Sequence, residues 1–171
     1  MVICINYNRY FVFLCYNYVG DIMEYKLTMR SVMDTIELAQ NFESEKFPNM
    51  IICLNGDLGS GKTLFTKAFA NALGVQESVT SPTFNIIKEY DGELPLYHMD
   101  VYRLEGNSDN ALIEEYFNKG GVVIIEWANM VKDILPEHRL DIKIKIIGEN
   151  SRVFTIVPHG KKYEDLCEAV L

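Results

Sequence analysis

Residues 56 to 63 read GDLGSGKT, a complete G-x-x-x-x-G-K-[ST] pattern. Its glycines let a chain turn tightly and bring several backbone N–H groups to bear on phosphate oxygens. In such a loop Lys62 neutralises β- and γ-phosphate charge and Thr63 offers a hydroxyl to magnesium. The helix that follows adds donors and a favourable dipole. Leu58, Gly59, Ser60, Gly61, Lys62 and Thr63 are therefore the candidate nucleotide-binding residues, with backbone rather than side chain carrying most of the loop's work. A glycine-rich turn with a chance Lys-Thr pair is the bland alternative. The context opposes it, because MIICLN reads as a strand before the loop and LFTKAFANAL as a helix after it.

Two acids at expected strand ends supply candidates for the rest of the chemistry. Asp100 follows LPLYHM and could hold magnesium or its bound water; Glu126 ends GGVVIIE and could coordinate magnesium or order an attacking water. Together they would make a hard-cation site from oxygen ligands without any histidine. Each also reads as a solvated strand-end carboxylate, and the residue pattern does not divide the roles between them. TSPTF, residues 80 to 84, reads as a nucleotide-sensitive loop through Thr80, Ser81 and Thr83 or as an ordinary polar turn. Trp127 suits either a surface beside the site or packing under a sheet.

The elements that must position these groups alternate along the chain. EYKLTM reads as a strand, and Ser31 with Asp34 three residues later forms a capping-box start for a helix carrying Ile36, Ala39 and Phe42. Met50 to Leu54 is a buried-strand run, and Leu64 to Leu73 is a helix that Gly74 stops. Phe84–Tyr90 and Leu94–Val101 are strands joined through Asp91-Gly92, residues 111 to 117 a short helix, and VVIIE a further strand. LDIKIKII alternates as a half-buried strand, residues 152 to 157 return beside it after GENS, and Lys161 to Leu171 form an amphipathic helix. Strands separated by helices indicate one α/β domain with both sheet faces at least partly covered.

Composition narrows the function classes. The 171 residues include 24 Asp and Glu against 16 Lys and Arg, a formal charge of -8. Such a chain is a poor autonomous binder of a phosphate backbone, although it can act on nucleic acid through a partner. Cys4, Cys15, Cys53 and Cys167 form no C-x-x-C pair and the three histidines are dispersed, so zinc-cluster spacing is absent and a cytoplasmic location is expected. Residues 1 to 22 are aromatic and weakly charged, with an apolar run too short to span a bilayer. A covering strand, a surface anchor and an N-terminal extension ahead of a domain covering residues 23 to 171 are the open readings, with the extension preferred.

In their order and spacing, LNGDLGSGKT (54–63), TSPTF (80–84), YHMDVYRLE (97–105), VVIIEW (122–127) and ILPEHRL (134–140) resemble the bacterial tRNA threonylcarbamoyladenosine biosynthesis ATPase family, TsaE, formerly YjeE. The resemblance covers about residues 24 to 160. It implies a single P-loop NTPase domain with a central, mostly parallel sheet flanked by helices. It further implies a chain that binds ATP and Mg²⁺ and hydrolyses ATP in support of the TsaB and TsaD proteins. Those proteins install threonylcarbamoyl on adenosine 37 of tRNA, which would be engaged through the complex. By matching motif, Lys62, Asp100 and Glu126 are the catalytic residues, and Thr63, Asp100 and Glu126 the magnesium set. Arg152 matches a position that approaches nucleotide, or is a solvated strand-start arginine, and Thr35 is a weaker adenine-side candidate. The common EWPE-like run is here Glu126, Trp127, Ala128, Asn129, which leaves the geometry after the first acid open.

Two rivals belong to other classes. A P-loop nucleoside or small-molecule kinase would need an acceptor pocket, and Arg103 is its one candidate closing arginine. A noncatalytic assembly subunit would use ATP only to order the TSPTF and EW regions for a partner. A GTPase is disfavoured because no NKxD guanine-recognition motif follows the loop.

Overall fold

The apolar run before the glycine-rich loop becomes the central strand of a mixed sheet. The computed structural model describes residues 2–7, 10–17, 22–82, 86–104 and 110–171, with side chains from residue 23 onward. In chain order the elements are β1 (Val2–Tyr7), β2 (Tyr10–Asn17), β3 (Ile22–Met29), α1 (Val32–Ser44), β4 (Met50–Gly56), α2 (Lys62–Ala72), β5 (Ile87–Tyr90) and β6 (Leu96–Asp100). They continue with α3 (Asn110–Tyr116), β7 (Val122–Glu126), a 3₁₀ segment (Ala128–Ile134), β8 (Arg139–Ile146), β9 (Arg152–His159) and α4 (Lys161–Val170). The expected start of a strand at Phe84, and Thr83 of the TSPTF loop, lie outside the described residues, as does Glu105.

Among the described residues the strands form one sheet in the order β1-β2-β3-β9-β8-β4-β7-β6-β5. The expectation of a mostly parallel sheet is corrected. β4 runs parallel to β7 and β8, and β6 parallel to β7, but β5–β6, β8–β9, β3–β9, β2–β3 and β1–β2 are antiparallel. Connection length is the physical reason at two of these places. A parallel crossover needs a dozen or more residues, whereas β5 reaches β6 through residues 91–95 and β8 reaches β9 through residues 147–151, so both pairs close as hairpins.

Pairing and burial follow the residue patterns. β4 and β7 are apolar on both faces and buried from Met50 to Leu54 and from Val122 to Glu126. β8 alternates, with Leu140, Ile142 and Ile144 inward and Asp141, Lys143 and Lys145 outward. One face of the sheet is covered by α1, α2 and α4, whose Phe42, Phe65, Phe69 and Leu166 pack on Leu27, Ile52 and Phe154. Complete burial of an aliphatic or aromatic side chain of this kind is worth roughly 1.5–3 kcal/mol. The other face carries α3 and the 3₁₀ segment over β4, β7 and β6, where Ile113 and Val131 meet Cys53, Met99, Val123 and Ile125. Burial pushes the Cys53 thiol up, as befits a core side chain rather than a nucleophile.

Helix ends are set as the sequence indicates. Ser31 Oγ accepts from the Asp34 N–H at 3.2 Å while Asp34 Oδ2 accepts from the N–H groups of Ser31 and Arg30, a complete capping box. At the end of α2 the Gly74 N–H returns to Asn71 and the Val75 N–H to Ala70, which satisfies carbonyls the helix would leave open. Tyr163 of α4 accepts the Ile51 N–H at 2.8 Å and so ties that helix to the base of β4. Among the described residues no helix is long and apolar enough to cross a membrane.

Candidate functional site

β4, β6 and β7 end at one level because they are parallel and in register: Leu54 lies opposite Glu126, and Glu126 opposite Asp100. Partners in a parallel register share a sheet face, so both acids emerge on the side of the sheet that carries α2. The loop from Gly56 to Gly61 then turns over these strand ends into α2. Gly56 is required by space, since a Cβ there would collide with the Ile144 carbonyl oxygen and crowd Ser60. Gly61 is required by conformation: its φ of 112° is a backbone state that side chains disfavour. It also leaves the first turn of α2 without a side-chain cap, so the helix N-terminus keeps donors for an anion.

Lys62 and Thr63 begin α2 and face the acids. Thr63 Oγ1 donates to Glu126 Oε2 at 2.9 Å. Lys62 is 5% exposed; its Nζ donates to the carbonyls of Gly56 at 2.7 Å and Asp57 at 3.0 Å and lies 3.9 Å from the centre of the Trp127 ring. Burial lowers the Lys62 ammonium below the usual lysine range, against the opposing pull of Glu126, Asp100 and Asp57. Asp100 accepts from the Ser81 hydroxyl on one oxygen and from the Tyr102 N–H on the other. The segment from Thr80 to Pro82 therefore touches the site, with Lys88 holding the Thr80 side chain at 2.6 Å.

Trp127 stands beside the site and also packs, partly buried, against the core under α3 and the 3₁₀ segment. Its φ of 62° is unusual for a residue with a side chain, and its N–H is held by the Leu54 carbonyl at 2.8 Å. The ring is half-buried between Lys62 and Tyr102, whose centroid is 4.6 Å away. Beyond it the Asn129 N–H donates to Asn55 Oδ1 at 2.8 Å, so the departure from the EWPE run is still pinned to the strand before the loop.

Arg152 and Thr35 come to the other side of the loop. The Arg152 guanidinium donates to the Ser60 carbonyl at 3.1 Å and to carbonyls of Gly148, Glu149 and Ser151, so it joins the β8–β9 turn to the phosphate loop. A cavity of about 230 Å³ opens there, lined by Thr35, Gly59, Gly61, Leu64, Asn150 and Arg152. Leu58 projects into solvent, 89% exposed, and contributes backbone to the loop. The residue that motif reading passed over is His98, whose Nε2 lies 2.8 Å from Glu126 Oε1 with both side chains buried. Its signal was the i, i+2 spacing from Asp100 on one strand.

This donor set suits a nucleotide and a hard cation. The glycine loop presents backbone, the Ser60 hydroxyl is buried without a hydrogen-bond partner among the described residues, and Thr63, Asp100 and Glu126 offer oxygen. Among the described residues no cluster of three or more His, Cys, Asp or Glu forms a cage. That is compatible with magnesium bound through one or two carboxylates together with phosphate oxygens.

The family model described as "Threonylcarbamoyl adenosine biosynthesis protein TsaE" matches residues 29–154. The chain belongs to the TsaE family. Similar curated relatives bear the name tRNA threonylcarbamoyladenosine biosynthesis protein TsaE. One from Bacillus subtilis is 52% identical over 122 residues, covering 71% of this chain and 77% of that one. Another from Treponema pallidum is 40% identical over 114 residues, covering 62% and 80%. A third from Rickettsia conorii is 32% identical over 139 residues, covering 79% of each. Among solved structures, the crystal structure of Bacillus subtilis YdiB superposes with a TM-score of 0.74 and 42% identity, over 87% of this chain and 95% of that one. Membership of TsaE, a P-loop NTPase family, implies that the chain binds a nucleotide.

Proposed function

We propose that the chain is an ATP-hydrolysing accessory subunit of the machinery that makes N6-threonylcarbamoyladenosine at position 37 of tRNA, acting with TsaB and TsaD. The observation that carries this reading is the convergence of Thr63, Glu126, Asp100 and Lys62 at the mouth of one phosphate loop in a TsaE-family chain. ATP is the nucleotide and Mg²⁺ the metal, and the -8 charge favours engagement of tRNA through the partner complex.

The residues divide the task by position. Backbone N–H groups of the loop and the open end of α2 grip phosphate, and Lys62 offsets its negative charge. Thr63, Asp100 and Glu126 would hold Mg²⁺, which when bound neutralises charge developing on the phosphates. Glu126 also has a free-energy reason to act on water, since a buried carboxylate is a strong acceptor in a site of low dielectric. Trp127 shields Lys62 on the solvent side, and Ser81 carries the 80–82 segment to Asp100. Arg152 and Thr35 line the cavity proposed for the adenine side.

The deciding experiment measures ATP hydrolysis by the purified chain alone and with TsaB and TsaD. Stimulation by the partners is the expected result. Turnover that depends on an added nucleoside instead would favour a kinase, and nucleotide-dependent assembly without turnover would favour a noncatalytic subunit.

A further inference from the structure

Glu126 is 2% exposed and His98 is 0% exposed. A carboxylate removed from water needs hydrogen-bond partners. Thr63 donates to its Oε2 and His98 Nε2 meets its Oε1. The sheet produces the second contact: Asp100 lies opposite Glu126 and His98 opposite Ile124, so His98 is the diagonal neighbour of Glu126 on the same face.

The Nδ1 of His98 is buried without a hydrogen-bond partner, so the contact with Glu126 is its one side-chain hydrogen bond among the described residues. A lone pair on Nε2 would repel the carboxylate oxygen, so Nε2 carries the hydrogen and donates. As core filling this is a poor choice, because an apolar side chain would occupy the space without an orphaned nitrogen. What the ring supplies is direction. With Oε1 held from β6 and Oε2 held from α2, the carboxylate cannot turn about its terminal bond without losing a contact.

We propose that His98 is a positioning residue for ATP hydrolysis, fixing the plane of the Glu126 carboxylate so that Oε2 stays at Thr63 and the phosphate loop. This rests on the reading of Glu126 as an acid of the reaction. His98 acts through Glu126 and needs no contact with nucleotide.

The test compares His98→Leu, His98→Gln, Glu126→Gln and the double variant His98→Leu/Glu126→Gln in the full chain. ATP affinity with magnesium and single-turnover hydrolysis with TsaB and TsaD are measured for each. His98→Leu is expected to keep affinity within about twofold while slowing hydrolysis about tenfold or more. Gln, whose amide N–H can reach toward Glu126 as Nε2 does, is expected to restore most of the rate, and His98→Leu should add no loss once Glu126 is Gln. A wild-type rate in His98→Leu beside an impaired Glu126→Gln overturns the positioning role and leaves Glu126 in place. A wild-type rate in Glu126→Gln instead removes the reading beneath it. Equal failure of Leu and Gln, or the same loss from His98→Leu in both backgrounds, would make His98 a packing residue. If the Leu variant does not fold, His98→Asn replaces it: its shorter amide should be slow where Gln is fast, and equal rates overturn the proposal.

Discussion

The centre of the sheet and its antiparallel flank are built on different rules. β4, β7 and β6 are parallel, and β7 and β6 end beneath the glycine loop in two acids, Glu126 and Asp100, that share one sheet face. β3, β9 and β8 are antiparallel; on β8 buried Leu140, Ile142 and Ile144 alternate with Asp141, Lys143 and Lys145. Only the first arrangement gathers chemistry. Parallel strands bring several C-terminal ends to the same edge, whereas antiparallel neighbours send alternate ends away from it. The flank reaches the site through Arg152, whose guanidinium donates to the Ser60 carbonyl, and through the Ile144 carbonyl packed against Gly56.

That contrast implies large losses from changes in the centre and small ones from changes in the flank. The largest effect is expected from Lys62→Ala, which removes the cation facing phosphate. Loss of turnover on the order of a hundredfold or more is expected, with weakened ATP binding. The fold should survive, since Lys62 bonds to loop carbonyls and stacks on Trp127 rather than filling the apolar core. ATP titration alongside the folded-state spectrum checks both halves. Unchanged magnesium-dependent binding and turnover would break the assignment of the centre.

Glu126→Gln comes next. It keeps the side-chain size and removes the negative charge, so hydrolysis should fall about tenfold or more, at least about 1.4 kcal/mol of barrier, while ATP affinity changes little. Single-turnover rates with magnesium and partners saturated separate failed chemistry from failed assembly. Equal rates for the two proteins would move the EW segment to a structural role.

How much of this was legible before the structure differs between the same two regions. In the centre the strand, loop and helix were readable because each has its own period and the loop its own spacing, and Asp100 and Glu126 were visible as polar ends of apolar runs. On the flank the strands were legible through the alternation of LDIKIKII, but not their place in the sheet. Nothing local states that β3 pairs with β9, over a hundred residues away, and it is this pairing with the hairpins that makes the sheet mixed. Two features of the site escaped for a related reason. His98 meets Glu126 through a cross-strand diagonal, and Trp127 takes a positive φ because β7 must turn sharply into the 3₁₀ segment. Both depend on what lies beside the strand rather than on what lies along it.

Arg152→Ala sharpens the comparison from the flank side. The guanidinium links the 148–151 turn to the phosphate loop through four carbonyls and lines the cavity beside Gly59. Its loss should weaken ATP binding about three- to tenfold, roughly 0.7–1.4 kcal/mol, and leave single-turnover hydrolysis of bound ATP near the wild-type rate. A hydrolysis defect as large as that of Glu126→Gln would show that the flank takes part in the chemistry and dissolve the distinction.

The smallest effect is expected from the far edge. We propose that residues 1–22 are an extension outside the nucleotide-binding domain of residues 23–171, and that their removal leaves ATP affinity within about twofold of the full chain. β2 pairs with β3 from Val12 opposite Leu27 to Asn17 opposite Ile22, so deletion strips one edge of β3. The other edge stays bonded to β9, where Tyr25 lies opposite Ile156 and Leu27 opposite Phe154. Tyr25, Leu27 and Met29 also remain buried in the helix-covered core. β9 and β8 stand between β3 and the phosphate loop's own strand in the sheet. The cost should therefore appear as self-association through an uncovered strand edge rather than as lost binding. Parallel ATP titrations of the full and shortened chains, with their sizes in solution measured at each concentration, separate the two. A folded, monomeric shortened chain that no longer binds ATP would mean that the hairpin reaches the site through the sheet, and that the flank is part of the nucleotide machinery after all.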